Sequence, residues 1–247
     1  MIEEHGISTA CISLIRPHSE RVKPPRSLWV SFELGRPLGV PNDADFQRNV
    51  LIALLNLLER SDGPVILEDY PLDAPESDEQ AAVLSCPVRF DDQVTDDSDP
   101  LKTRFLREIQ AMYPWYDMAL KKRGRTSLGG SGIDIDHLGE YIYAHVKGEE
   151  PDNPLQDVDS SVSLKLAVED LKGYYIEAVT AQPGQEGLSS KALKEWFWDT
   201  TTAGDVLVEL IKTCSQSENE KMKMMGTHFI APMDVMLKRE VIKPGVM

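Results

Sequence analysis

Residues 7–34, "ISTACISLIRPHSERVKPPRSLWVSFEL", decide how this chain is read. "ISTACISLI" (7–15) is rich in Ile, Thr and Ser with partial alternation, which predicts a strand. "RPHSERVKPPR" (16–26) is polar and carries three prolines, so a loop is expected. "SLWVSFEL" (27–34) alternates strictly, with Leu28, Val30 and Phe32 on one face and Trp29, Ser31 and Glu33 on the other, and predicts a second strand. Upstream, "MIEEHG" reads as the last turn of a helix capped by Gly6 in the left-handed conformation. Downstream, the loop "GRPLGVPND" leads to a helix over "ADFQRNVLIALLNLLER", capped by Asn42 or Asp43, with Phe46, Val50, Ala53, Leu54 and Leu57 as its apolar stripe. "GPVILEDYP" (63–71) is a short third strand or an extended segment.

The remainder reads differently. Residues 73–98 are acidic, proline-bearing and aperiodic, and are expected to form a linker. Beyond them the pattern is helical. Two pieces are expected over 99–124 with a break near Pro114, then a glycine-rich turn (126–135) and a helix ending at Gly148. An amphipathic helix should end at Pro183–Gly184, followed by a long one over 188–214 and a weaker one over 217–237. The expected fold is therefore an α/β N-terminal piece with a partial parallel sheet (1–72), an acidic linker (73–98) and an all-α helical region (99–247). Two or three strands with one full helix cannot cover both faces of a parallel sheet. Completion by an upstream domain or a second subunit is expected, and a homo-oligomer would also cover the free edge.

Bulk properties narrow the function classes. The chain of 247 residues is 41% apolar, with a net charge of −15 and a mean hydropathy of −0.30. An acidic surface repels nucleic acid and anionic lipid, so neither is an expected partner. No apolar run reaches the roughly 20 residues of a membrane helix, and no secretory signal is visible. Three cysteines, Cys11, Cys86 and Cys214, lie far apart without a C-x-x-C, which suggests a reduced, cytoplasmic protein rather than a disulfide or zinc framework.

Candidate chemistry is sparse. A thiolate at Cys11 could act as nucleophile or resolving thiol if positive charge lowered its pKa, and Arg16, His18, Arg21, Lys23 and Arg26 follow closely. A cysteine flanked by Ala and Ile in a strand is more commonly a small buried hydrophobe. The basic segment follows the end of a strand, where open α/β sheets bind ligands. His18, Arg26 and Arg36 are thus candidate substrate ligands, the two arginines being stiffened by adjacent prolines and able to clamp a carboxylate. "GRPLG" lacks the spacing of a phosphate cradle, and no cofactor is expected. Asp134, Asp136 and His137 read better as helix-capping residues than as metal ligands, and Glu169, Tyr174 and Glu177 as surface groups. Trp196, Phe197 and Trp198 cannot share one helix face, so one of them should face a partner or a second domain while the others enter the core.

Several stretches together resemble a known family. "HGIST" leading a strand, "PPR" before the next, "GRPLG-P-ND" before a helix, and later "YPWYDMALKKRGRTS", "GIDID", "EDLKGYYIEAVTAQPGQ" and "EWFWDTTTAG" look like the glycine/sarcosine/betaine/D-proline reductase selenoprotein B family, in its proteobacterial branch. The resemblance implies an oxidoreductase that uses a selenol or thiol with a disulfide acceptor and cleaves C–N bonds of small amino-acid-like substrates. In relatives the redox motif, a selenocysteine or cysteine followed two residues on by another cysteine, lies upstream of the helix that ends here as "IEEHG". This sequence has no such motif. Two origins stay open: a reading frame begun after a selenocysteine codon, or a protein naturally split into two chains. Either way this chain alone is expected to be inactive. The alternative class is a non-catalytic, acidic helical binding or assembly module.

Overall fold

The computed structural model describes residues 2–32, 35–40, 42–73, 98–183, 185, 188 and 190–241. The chain divides into two compact units, Met1–Glu79 and Gln80–Met247. All of the expected linker except its end residues 73 and 98 lies outside the described residues.

The first unit is a small parallel α/β layer. A 3-10 turn, Ile2–His5, ends at Gly6, whose φ of 77° is the expected left-handed cap. Strands β1 (Cys11–Ser13), β2 (Arg26–Trp29) and β3 (Ile66–Asp69) form a sheet in that order, both pairs parallel. Cys11 registers with Ser27 and Ser27 with Leu67. Between β1 and β2 the structure corrects the expected loop: Arg16–Val22 is a helix, α1. Pro17 lies in its first turn, where a missing N–H costs nothing, and Lys23 closes it at φ 53°. The paired prolines that follow, Pro24 and Pro25, fall beyond the helix end.

Helix α2 (Ala44–Asn56) starts where Asp43 accepts the Phe46 amide at 3.0 Å, and a 3-10 turn, Leu57–Glu59, continues it. Val50 and Leu57 are buried with Leu28, Val30, Phe32, Ile66 and Tyr70, while Phe46, Ala53 and Leu54 pack against them. The face Leu28–Val30–Phe32 is thus the inner one, as the alternation predicts. Phe32, Phe46 and Tyr70 cluster at 5.5–6.1 Å between centroids, with Tyr70 edge-on to both phenylalanines.

The regular elements among the described residues of the second unit are helices: α3 (Pro100–Arg123), α4 (Ile135–Val146), α5 (Ser160–Thr180), α6 (Ser190–Thr200), α7 (Thr202–Ser215), α8 (Glu220–His228) and α9 (Met233–Lys238). Helix α3 packs on α5, α4 and α7, and α5 also meets α4 and α8. Several expectations are corrected here. Helix α3 runs unbroken through Pro114. Pro114 and Gln110, whose carbonyl loses its N–H partner, are both exposed, so water can satisfy what the proline leaves open. Helix α5 is central rather than one-sided, with Tyr174 and Tyr175 fully buried. Their hydroxyls donate to the Ile109 carbonyl (2.6 Å) and the Glu108 carboxylate (2.8 Å).

The expected long helix over 188–214 is two helices. Thr201 takes extended backbone (φ −93°, ψ 147°) and caps α7 by accepting the Gly204 amide at 3.0 Å. The same start is held from a distance, because Glu108 accepts the amides of Thr202 (2.8 Å) and Ala203 (3.0 Å). At Gly204 a Cβ would sit 2.5 Å from the Phe197 carbonyl oxygen, so only glycine permits this turn. The break lets Trp196, Phe197 and Trp198 all enter the core, at 3–4% exposure, and none faces outward. The weak last helix is also two, α8 and α9, separated by Pro232 as the α9 N-cap.

Candidate functional site

Each predicted site residue of the first unit has a definite place. Cys11 opens β1 and is exposed, not the buried hydrophobe that its neighbours suggest. Strand β1 pairs only with β2 among the described residues, so Cys11 lies on an outer strand. Its thiol donates to the Arg26 carbonyl and to Ser27 Oγ, each at a long 3.5 Å. Arg26 is the residue most enclosed by its surroundings. Its Nη1 donates to Glu3 Oε1 at 2.9 Å, its side chain is 11% exposed, and its buried Nε has no partner. The amide and hydroxyl of Thr9 also bind Glu3 Oε1 (2.7 and 2.9 Å). These Thr9 bonds first, and Arg26 after them, hold the Glu3 carboxyl below its usual range. Glu3, Thr9, Arg26 and Cys11 therefore form one connected group across the 3-10 turn, β1 and β2.

His18 on α1 and Arg36 in the loop after β2 are both exposed, and neither forms a hydrogen bond or ion pair with Cys11 or Arg26. Of the candidate substrate ligands, Arg36 keeps its guanidinium free of any ion pair among the described residues. At the carboxyl ends of the strands, Arg16 binds Asp69 at 3.1 Å and also pairs with Glu20, while Ser19 donates to Ser13 at 2.5 Å. The hydrogen bond to Asp69 first, then the charges of Asp69 and Glu20, raise the Arg16 pKa. No local pattern signals the Glu3–Arg26 and Arg16–Asp69 pairs, whose partners are 23 and 53 residues apart.

The acidic groups of the helical unit serve its architecture. Asp170 and Glu177, one face of α5, grip the loop 126–131. Asp170 accepts the amides of Gly129 (3.1 Å), Gly130 (3.2 Å) and Ser131 (2.9 Å) and the Ser131 hydroxyl (2.6 Å). Glu177 accepts the Ser127 amide (2.7 Å) and hydroxyl (2.8 Å) and the Thr126 hydroxyl (3.1 Å). The expected surface role of Glu177 and Tyr174 is therefore corrected, for both are buried. Glu169, one residue before Asp170, does lie at the surface and pairs with Lys165. Asp134 is the α4 N-cap through its backbone alone, without a side-chain cap bond.

Two further groups complete the survey. His145 is 6% exposed, its Nε2 has no partner, and burial pushes its pKa down to about 4. Cys214 is buried in α7, where burial raises the thiol to about 11 and keeps it un-ionised. Cys86 lies outside the described residues. Among the described residues no group of three or more His, Cys, Asp and Glu side chains could hold a metal ion, and no helix is long and apolar enough to cross a membrane. Compared with family models, curated proteins and solved structures, the chain has no match in any of the three.

Proposed function

We propose that the first unit is the substrate-loop part of a thiol- or selenol-dependent reductase acting on small amino-acid-like molecules. In such a reaction a C–N or similar bond is cleaved with two electrons, as two thiols, or a thiol and a selenol, become a disulfide or selenyl sulfide. The observation that carries this reading is Cys11: an exposed thiol on an outer strand, hydrogen-bonded to the Arg26 main-chain carbonyl and followed by a cation-bearing segment. Arg36, free of ion pairs among the described residues, is the residue available to take a substrate carboxylate. A redox group from an upstream domain or second subunit completes the chemistry, and this chain alone does not turn over. The second reading, a non-catalytic assembly module, draws on the exposed leucines and isoleucine of α2.

The test is anoxic assay of the purified chain with dithiothreitol and glycine, sarcosine, betaine or D-proline, alongside calorimetric binding of the same compounds. Binding without turnover, weakened by Arg36→Ala, is the expected result. Turnover by the chain alone refutes its dependence on a second redox group. Failure of all four compounds to bind refutes the substrate-loop role.

A further inference from the structure

Helix α2 has a second apolar stripe that the sheet does not use. Leu51, Ile52, Leu55 and Leu58 are 42, 48, 56 and 37% exposed. At 100° per residue Ile52 and Leu55 lie opposite Val50, which faces the core, Leu51 lies on the flank about 100° round from it, and Leu58 belongs to the 3-10 turn that continues the helix. An outer helix of an α/β layer normally presents charge to water, and a helix apolar on both sides is one that is covered on both. The stripe is bounded at one end by Arg48 and at the other by Glu59, both exposed and neither in an ion pair among the described residues.

The spacing of these residues is self-complementary. Arg48, Ile52 and Leu55, at intervals of four and three, lie within one narrow sector of α2, and Glu59, four residues on, ends the 3-10 turn that continues the helix. Place a second copy of the helix antiparallel, with a two-fold axis passing between residues 53 and 54. Ile52 then meets Leu55 of the second copy, and Arg48 meets its Glu59. The axis repeats both contacts, giving an apolar centre with an opposite-charge pair at each end, as an isologous interface requires. Leu51 and Leu58 flank the centre. A partner of unrelated sequence would have to supply this reversed order independently, whereas a second copy of this chain carries it already.

We infer that the chain forms a two-fold dimer through α2, paired antiparallel about residues 53 and 54. This inference is independent of the proposed reductase role. The test is the mass of the full-length chain by light scattering at about 100 μM, a concentration that populates even a micromolar homodimer. Wild type should be dimeric. Leu55→Arg, at an exposed site, should be monomeric with an unchanged far-UV circular dichroism spectrum. Arg48→Glu sets two acidic residues against each other at both ends and should raise the dissociation constant at least about tenfold. Arg48→Glu combined with Glu59→Arg should restore it. A monomeric wild type overturns the inference. So does a dimer that survives Leu55→Arg, or a double reversal that fails to recover what the single one lost.

Discussion

Replacing Asp170 by Asn tests whether a buried carboxylate holds the 126–131 loop. The side chain keeps its size, so packing is undisturbed. The best arrangement puts the amide oxygen at Oδ1, where it still accepts from Gly129 and Gly130, and the NH2 group against Ser131. The Ser131 hydroxyl can turn and accept, but the Ser131 amide, on a residue with 0% exposure, is left facing a donor. An unpaired buried N–H costs about 1–3 kcal/mol, and two formerly charge-assisted bonds each weaken by roughly 0.5–1 kcal/mol. Relief from burying a charge offsets part of this, so the net loss should be about 2–3 kcal/mol. With a urea m-value of about 2 kcal/mol/M for a unit of this size, the unfolding midpoint should fall by about 1–1.5 M. Tryptophan fluorescence in a Trp29→Phe background reports on the helical unit through Trp115, Trp196 and Trp198. Glu169→Gln, next in sequence but in a surface pair, should cost under about 0.5 kcal/mol. A midpoint for Asp170→Asn within about 0.3 M of wild type, at unchanged m, would refute the reasoning.

Three other outcomes are expected. His145 is neutral in the fold with a pKa of about 4 against an ordinary 6.5, so below pH 6.5 the unfolded chain takes up a proton that the native state refuses. Stability should be unaffected above pH 6.5, fall by up to about 3 kcal/mol as pH drops toward 4, and level off below it. Urea midpoints across that range should show a shallower slope in His145→Phe. In a Cys86→Ser background, a thiol reagent at pH 8 should modify Cys11 in the native state and Cys214 only after denaturant is added, with peptide mass spectrometry identifying each site. Gly204→Ala should destabilise the helical unit by about 2–3 kcal/mol, because its new methyl meets backbone rather than a movable side chain. Thermal unfolding checks this, and Gly130→Ala, where an added Cβ meets only ordinary van der Waals contacts at 3.5 Å and beyond and φ is not left-handed, provides the comparison.

What the sequence disclosed depended on whether the deciding partner was near in the chain. The Leu28–Val30–Phe32 alternation, the Asp43 cap and the inner stripe of α2 are local patterns, and each lies where its periodicity puts it. Helix α1 is hidden because three prolines in eleven residues read as a loop, although Pro17 sits in a first turn that tolerates it. Pro114 misleads in the same way, since the cost of a proline depends on whether the freed carbonyl reaches water. The division between α6 and α7 has a local part, the Thr201 cap and the close turn at Gly204, and a distant part, Glu108, some ninety residues earlier, which no window on residues 188–214 contains. Glu169 and Glu177 look alike in sequence, and only the fold separates a surface pair from a buried anchor. At the candidate site, Cys11 and the cationic segment were visible as residue types. The Glu3 carboxylate that occupies Arg26 was not, because it arrives from a turn outside the strand pattern.

The grip of α5 on the 126–131 loop has a consequence for how this molecule can vary. Asp170 addresses three successive main-chain amides, which every residue except proline possesses. Of these three positions only residue 130 is released in its side chain, since Gly129 sits at φ 113° and Ser131 also binds through its hydroxyl, while a proline at any of the three would cost an anchor. A hairpin bend that would ordinarily be nicked first by a protease should instead resist trypsin at nearby Arg125 for about as long as α5 itself persists.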